Sequence, residues 1–226
     1  MRRIRRLKIT DFLIGLVFTI LFLSLGVVLA VNFRPLYYLD IKLLNIPEKS
    51  GYSKDVIVEN YNALIDYSFP LYKGELSFPS LDASEEGLQH FREVKQIFAW
   101  FYILGTVSLV AAVIIVIYKS LKRDFCFLAV SSITAIVLPI AVGLLMAIDF
   151  DTTFILFHKL FFNNDYWIFD PVTDPVIKIL PSEFFMHCAL LIIAVILLGS
   201  LILYLAYLRL KKYTGIKYRK IPGIKI

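Results

Sequence analysis

Four stretches of 22 to 25 residues, 12–33, 97–118, 125–148 and 184–208, carry no charged side chain. At a rise of about 1.5 Å per residue each reaches roughly 33 Å as a helix, enough to cross a hydrocarbon core about 30 Å thick. Polar segments separate them: 1–11, 34–96, 119–124, 149–183 and 209–226. In 34–96, Leu39-Asp40-Ile41-Lys42-Leu43 alternates apolar and charged positions, which predicts a half-buried strand, and Glu75 to Phe78 reads as a second. Between them Ser53 precedes Val56, Ile57, Tyr61, Leu64 and Ile65 at helical spacing, until Pro70. Asp82, three residues before Glu85, resembles a capping box, and Leu88, Phe91, Val94 and Phe98 carry that helix into the second apolar stretch. In 149–183, Asp151 is a usable N-cap and Phe150, Phe154, Phe157 and Phe161 share one face of a helix too short to span. Asn163-Asn164 ends it, and Asp174-Pro175 opens another before Pro181. The expected fold is all-α and membrane-integral: four transmembrane helices under a small mixed α/β cap.

A hydrophobic share of 59% over 226 residues supports this, since one soluble core could not bury so much. The net charge of +6 conceals an asymmetry. Segments 1–11, 119–124 and 209–226 hold 15 Lys or Arg against Asp11 and Asp124 alone, whereas 34–96 and 149–183 together are acidic. Basic residues beside span ends mark the cytoplasmic side, which places both termini inside and the two long loops outside. The basic tail, Lys211, Lys212, Lys217, Arg219 and Lys220, reads as a topology and headgroup signal, with no nucleic-acid partner expected. The first span exceeds the 7–15 residues of a signal-peptide core, so it reads as an uncleaved anchor. Cys126 and Cys188 fall near opposite ends of spans and are too far apart to pair.

Candidate chemistry concentrates in the outer loops. His90 and His158 each adjoin an amphipathic helix expected at the outer surface, so the two can converge as an acid and base pair. The plain alternative for each is a hydrogen-bonded interfacial residue. His90 has Glu86 one turn before it as a possible carboxylate partner, and His187, inside the fourth span, reads as a packing or water-facing residue. No HExxH, Cys/His cluster, phosphate loop or nucleophile elbow occurs, so neither a metal, a cofactor nor a covalent Ser or Cys intermediate is expected. Six Phe in the second loop exceed what an interfacial belt needs and suggest a wall for acyl chains.

Several motifs now stand together: Asn60-Tyr61 with Leu64 and Tyr67, Gly87-x-x-His90 with Val94-Lys95, Phe157-His158-x-Leu160-Phe161-Phe162-x-Asn164-Asp165-x-Trp167-x-Phe169-Asp170-Pro171-x-x-Asp174, and Ile179-Leu180-Pro181-x-x-Phe184-Phe185. With the four spans, they resemble the bacterial lipoprotein intramolecular transacylase family, Lit, over nearly the whole chain. The resemblance implies an enzyme of the bacterial plasma membrane. Its substrate would be a diacylglyceryl-modified lipoprotein, whose sn-2 acyl chain moves onto the α-amino group of its own N-terminal cysteine to give the lyso form. His90 and His158 are then the expected catalytic pair, one as base and one, protonated, as acid. Tyr61, Arg92 and Asn164 are candidate oxyanion donors and Trp167 a candidate pocket wall, each equally open to a capping, headgroup-pairing or packing role. Membrane lipids are the other expected partners.

Other readings of the same layout are a four-span adhesion or transport protein, or an acyltransferase using free phospholipid. Adhesion proteins of this layout rely on a first-loop disulfide that this chain cannot form. Transporters usually place charges within spans, where none occurs here.

Overall fold

The computed structural model describes residues 8–213, and every regular element among them is helical. In chain order these are α1 (Ile9–Asn32), α2 (Arg34–Leu43), α3 (Ile46–Ser50), α4 (Lys54–Ser68), α5 (Glu85–Leu121), α6 (Cys126–Ile148), α7 (Phe150–Phe161), α8 (Val176–Ile179) and α9 (Ser182–Leu210), which a 3-10 turn extends over Lys211–Tyr213. Helices α1, α5, α6 and α9 are long and apolar enough to cross a membrane. Their outer faces leave Ile103, Ile114, Leu144 and Leu198 more than half exposed, a surface suited to lipid. The basic termini at 1–7 and 214–226 lie outside the described residues.

Helix α1 is the hub, packing against α5, α6 and α9. Lipid tails supply no hydrophobic drive between spans, so close approach at small residues has to hold them. Gly15 faces Thr134 of α6, and Gly199 of α9 faces Phe22, so tightly that a Cβ at either position would overlap its neighbour. At the end remote from the cap, Lys119 Nζ donates to Asp11 at 2.9 Å and Asp124 at 3.1 Å, joining α5, α1 and the turn before α6. Asp11 is 1% exposed, and a carboxylate at that depth requires such a partner.

The cap is helical rather than mixed, which corrects the expected strands. Leu39 to Leu43 belongs to α2, with Pro35 in its first turn, and Glu75 to Phe78 follows no regular pattern. The alternation misled because Asp40 is not a solvent-facing position: Tyr37, Asp40 and Ile41, at i, i+3 and i+4, form the buried stripe of a helix. Tyr37 stacks on Tyr61 of α4 at 3.7 Å between ring centroids, meets Phe184 of α9 edge-on, and donates its hydroxyl to the Ile179 carbonyl at 2.5 Å. One apolar core, including Ile57, Leu64, Phe91, Val176 and Phe184, thereby joins α2, α4 and α8 to the tops of α5 and α9.

Candidate active site

The two outer loops meet at the start of α5. Ser84 caps that helix by accepting from the Gly87 N–H at 3.0 Å, and Asp174 fixes Ser84 in turn, accepting from its N–H at 2.8 Å and its hydroxyl at 3.0 Å. The cap is thus Ser84 and not Asp82, because a loop residue ninety positions away selects it. His90 follows in the second turn. Helix α7 likewise starts two residues earlier than Asp151 suggested: Asp149 accepts from the Thr152 N–H at 3.1 Å. His158 in the last turn of α7 donates Nδ1–H to the Phe154 carbonyl at 2.8 Å. A carbonyl can only accept, so Nε2 of His158 carries the lone pair.

His90 and His158 lie with ring centroids 6.0 Å apart. Both are buried, at 5% and 8% exposure, inside an aromatic box. Phe162 lies 4.7 Å from His90 and 5.7 Å from His158, Phe169 meets His90 edge-on, and Trp167 stacks on His158 at 4.8 Å. Phe154 closes the box at 4.2 Å from His158, while Phe157 and Phe161 turn outward and remain about half exposed. The aromatic face of α7 is therefore divided, with one edge on the site and the other on the surroundings.

Burial disfavours the charged imidazole. It pushes the His90 pKa down to about 4, assisted by repulsion from His158 and opposed by attraction to Glu93. His158 is lowered as well, mainly by burial, against the hydrogen bond to Phe154. At neutral pH the geometry presents two uncharged imidazoles. His90 Nδ1 is buried with no hydrogen-bond partner among the described residues.

A polar network borders the box. Asn164 Nδ2 donates to both carboxylate oxygens of Glu93, at 3.1 and 3.2 Å, and the Asn164 main-chain carbonyl accepts from Trp167 Nε1 at 3.1 Å. Gln89 Nε2 donates to Glu93 at 3.1 Å, and Gln89 Oε1 accepts from Arg92 Nε at 3.0 Å.

The profile of the family described as lipoprotein intramolecular transacylase Lit matches residues 12–185. The chain belongs to this family. Solved structures agree with it. The in meso structure of the membrane-integral Lit from Bacillus cereus is 44% identical, covers 90% of this chain and 96% of that one, and gives a TM-score of 0.85. Two further structures of the Bacillus cereus protein, in which one histidine is replaced by arginine or by alanine, are 43% and 42% identical. They cover 90% of this chain and 92% and 94% of theirs, with TM-scores of 0.79 and 0.80. No curated protein sequence matches.

Within this Lit-family fold the structure brings His90, His158, Asn164 and Trp167 together, leaves Arg92 in the bordering network and places Tyr61 elsewhere. Tyr61 is 2% exposed in the cap core, stacked on Tyr37, and burial holds its phenol well above the usual range. Arg92 donates to Gln89 at 3.0 Å and to Glu75 at 3.4 Å. The carboxylate nearest the pair in the network is Glu93, whereas Glu86 is exposed. Position i+3 shares a helix face as well as i−4 does, so the spacing alone allowed either. His187, read from sequence as a packing or water-facing residue, places Nδ1 2.9 Å from both oxygens of the buried Asp40. Among the described residues no group of three or more His, Cys, Asp or Glu is placed to hold a metal.

Proposed function

We propose that this chain moves the sn-2 acyl chain of a diacylglyceryl lipoprotein onto the α-amino group of its N-terminal cysteine, with His158 as the base. The observation that carries the proposal is the Nδ1–H bond of His158 to the Phe154 carbonyl, which leaves Nε2 facing the reaction as an acceptor beside a second buried imidazole. The substrate's α-ammonium, with an ordinary pKa of about 8, sheds one proton to water before reaction. The neutral amine then attacks the ester carbonyl carbon, forming the C–N bond. His158 Nε2 takes the remaining excess proton from nitrogen, the ester C–O bond breaks, and that proton passes to the departing glyceryl oxygen. One proton crosses from nitrogen to oxygen, so the pair need not begin charged. This replaces the expected protonated second histidine with a relay suited to two depressed pKa values.

His90 Nδ1 gains its partner from the substrate, at the carbonyl or glyceryl oxygen. Attack closes a medium ring through sulfur and the glyceryl carbons, which forms slowly in free solution. Holding nitrogen and carbonyl carbon at contact distance is therefore a large share of the catalysis, and the rigid aromatic box suits that task. Phe154, Phe162 and Trp167 line the path of the acyl chain, while Asn164 acts through Trp167. Tyr61 and Arg92 support the cap and the rim.

The charge distribution supports cytoplasmic termini and a plasma-membrane enzyme whose site faces the extracytoplasmic headgroups. Segments 12–33, 97–118, 125–148 and 184–208 are then the portions within the bilayer, with α5 starting outside it.

The test uses purified protein in bilayers with a diacyl lipopeptide, followed by fragmentation mass spectrometry of the N-terminal cysteine. The expected product has unchanged mass with one acyl group on nitrogen, and His158→Ala and His90→Ala each lower the rate by about 100-fold or more. A product heavier by one acyl group points to an intermolecular donor, and parent rates in both variants overturn the proposal.

A further inference from the structure

Glu93 is one turn beyond His90 on α5, half-buried, and is not among the groups that exchange protons in the proposed reaction. Its carboxylate is nevertheless the point where the two outer loops are fastened beside the site. Both oxygens accept from Asn164 Nδ2, and the Asn164 main-chain carbonyl accepts from Trp167 Nε1. The Trp167 ring lies on His158 at 4.8 Å and 30°. The segment carrying Trp167 has no helical frame of its own between Phe161 and Val176, and its bond to α5 through Asn164 joins local turn bonds in fixing its position. Gln89 one turn earlier donates to the same carboxylate and restricts its rotamer.

We infer that Glu93 is a positioning residue for acyl transfer: through Asn164 it seats Trp167 against His158, and so fixes the plane in which the His158 imidazole meets the substrate. This rests on the reading of His158 as base. The α7 hydrogen bond sets which nitrogen is free, and Glu93 sets the wall that prevents the ring from tilting. Hydrogen-bond acceptance at the Glu93 oxygen is what the role requires. Its negative charge is not.

The chain has two tryptophans, so Trp100→Phe leaves Trp167 as the sole indole. An imidazolium stacked on an indole quenches its fluorescence, and emission against pH in that background therefore reports both the stack and the protonation of His158. Glu93→Ala is expected to lose most of the acid quenching and to lower kcat by roughly 10- to 100-fold with little change in KM. Glu93→Gln, which keeps an acceptor oxygen at the same reach, should retain the quenching and most of kcat. Glu93→Asp keeps the charge but reaches one methylene less, and should fall below Glu93→Gln; this order decides the matter even if Glu93→Ala does not fold. The reverse order, Asp above Gln, overturns the tether, as do unaltered quenching and kcat in Glu93→Ala. If His158→Ala turns over like the parent, the catalytic reading falls and this role with it. A dead His158→Ala beside a fully active Glu93→Ala removes Glu93 alone.

Discussion

A methyl group at Gly87 would overlap the Asp174 carboxylate, and the Phe169 ring lies 3.2 Å from the same point. This contact explains why Gly87 and Asp174, far apart in sequence, belong to one arrangement: the bare face of α5 admits the second loop, and the carboxylate that fills it caps the helix through Ser84. Gly87→Ala should therefore move the loop away from His90. Overpacking of this kind costs about 1–3 kcal/mol, so the variant is expected to melt earlier yet remain folded, with activity reduced at least tenfold. Thermal unfolding and turnover measured on one preparation check this, and parent turnover would argue against the loop's role.

The depressed histidine pKa values set the acid behaviour. The His90 pKa is about 4 in the folded state and near 6.5 in an unfolded chain, so below 6.5 the unfolded chain takes up a proton that the native one refuses. Stability should be complete above pH 6.5 and decline as pH falls toward 4, by roughly 3 kcal/mol at most for His90 alone. His90→Phe should flatten that decline. Denaturation midpoints between pH 4 and 7.5 provide the comparison.

Turnover should follow a different group. Burial holds both imidazole pKa values below the ordinary one, so the rate should instead climb toward the pKa of the substrate α-amine, about 8. A kcat/KM profile with an inflection at 6.5, where a free imidazole titrates, would contradict the burial described for the pair.

Asp40 and His187 form a polar link between α2 of the cap and α9. With Asp40 1% exposed, His187→Ala leaves a buried carboxylate unpaired, which commonly costs about 3 kcal/mol or more. Substituting both partners together, Asp40→Leu with His187→Leu, should recover much of that loss. A double-mutant cycle on thermal stability measures the coupling, and additive effects would show that the pair is not a unit.

The spans were legible in sequence because absence of charge over 22 or more residues has few structural meanings. The approach of His90 and His158 was legible too, since one lies in the amphipathic start of α5 and the other on the short amphipathic α7. Most of what escaped was decided by long-range partners. Asp40 looked like a solvent-facing strand position because its partner, His187, lies 147 residues away. The caps shifted by two residues, to Ser84 and Asp149, because Asp174 selects Ser84 and because Asp149 already satisfies the first turn of α7. Tyr61, a reasonable oxyanion donor by residue type, is claimed by a stack with Tyr37 that no local pattern announces.

Helix α5 runs without a break for 37 residues, from the cap through the whole apolar stretch to the Lys119 cluster. That is about 55 Å of rigid rod. His90 stands seven residues above the first position of the apolar stretch, Ile97, a height of roughly 10 Å. The helix is thus a depth gauge. On the proposed topology it holds the imidazole at a set height above the apolar stretch. Bilayer thickness then becomes a variable of the reaction, because thinning or thickening the membrane moves the ester relative to a histidine that stays where the rod holds it.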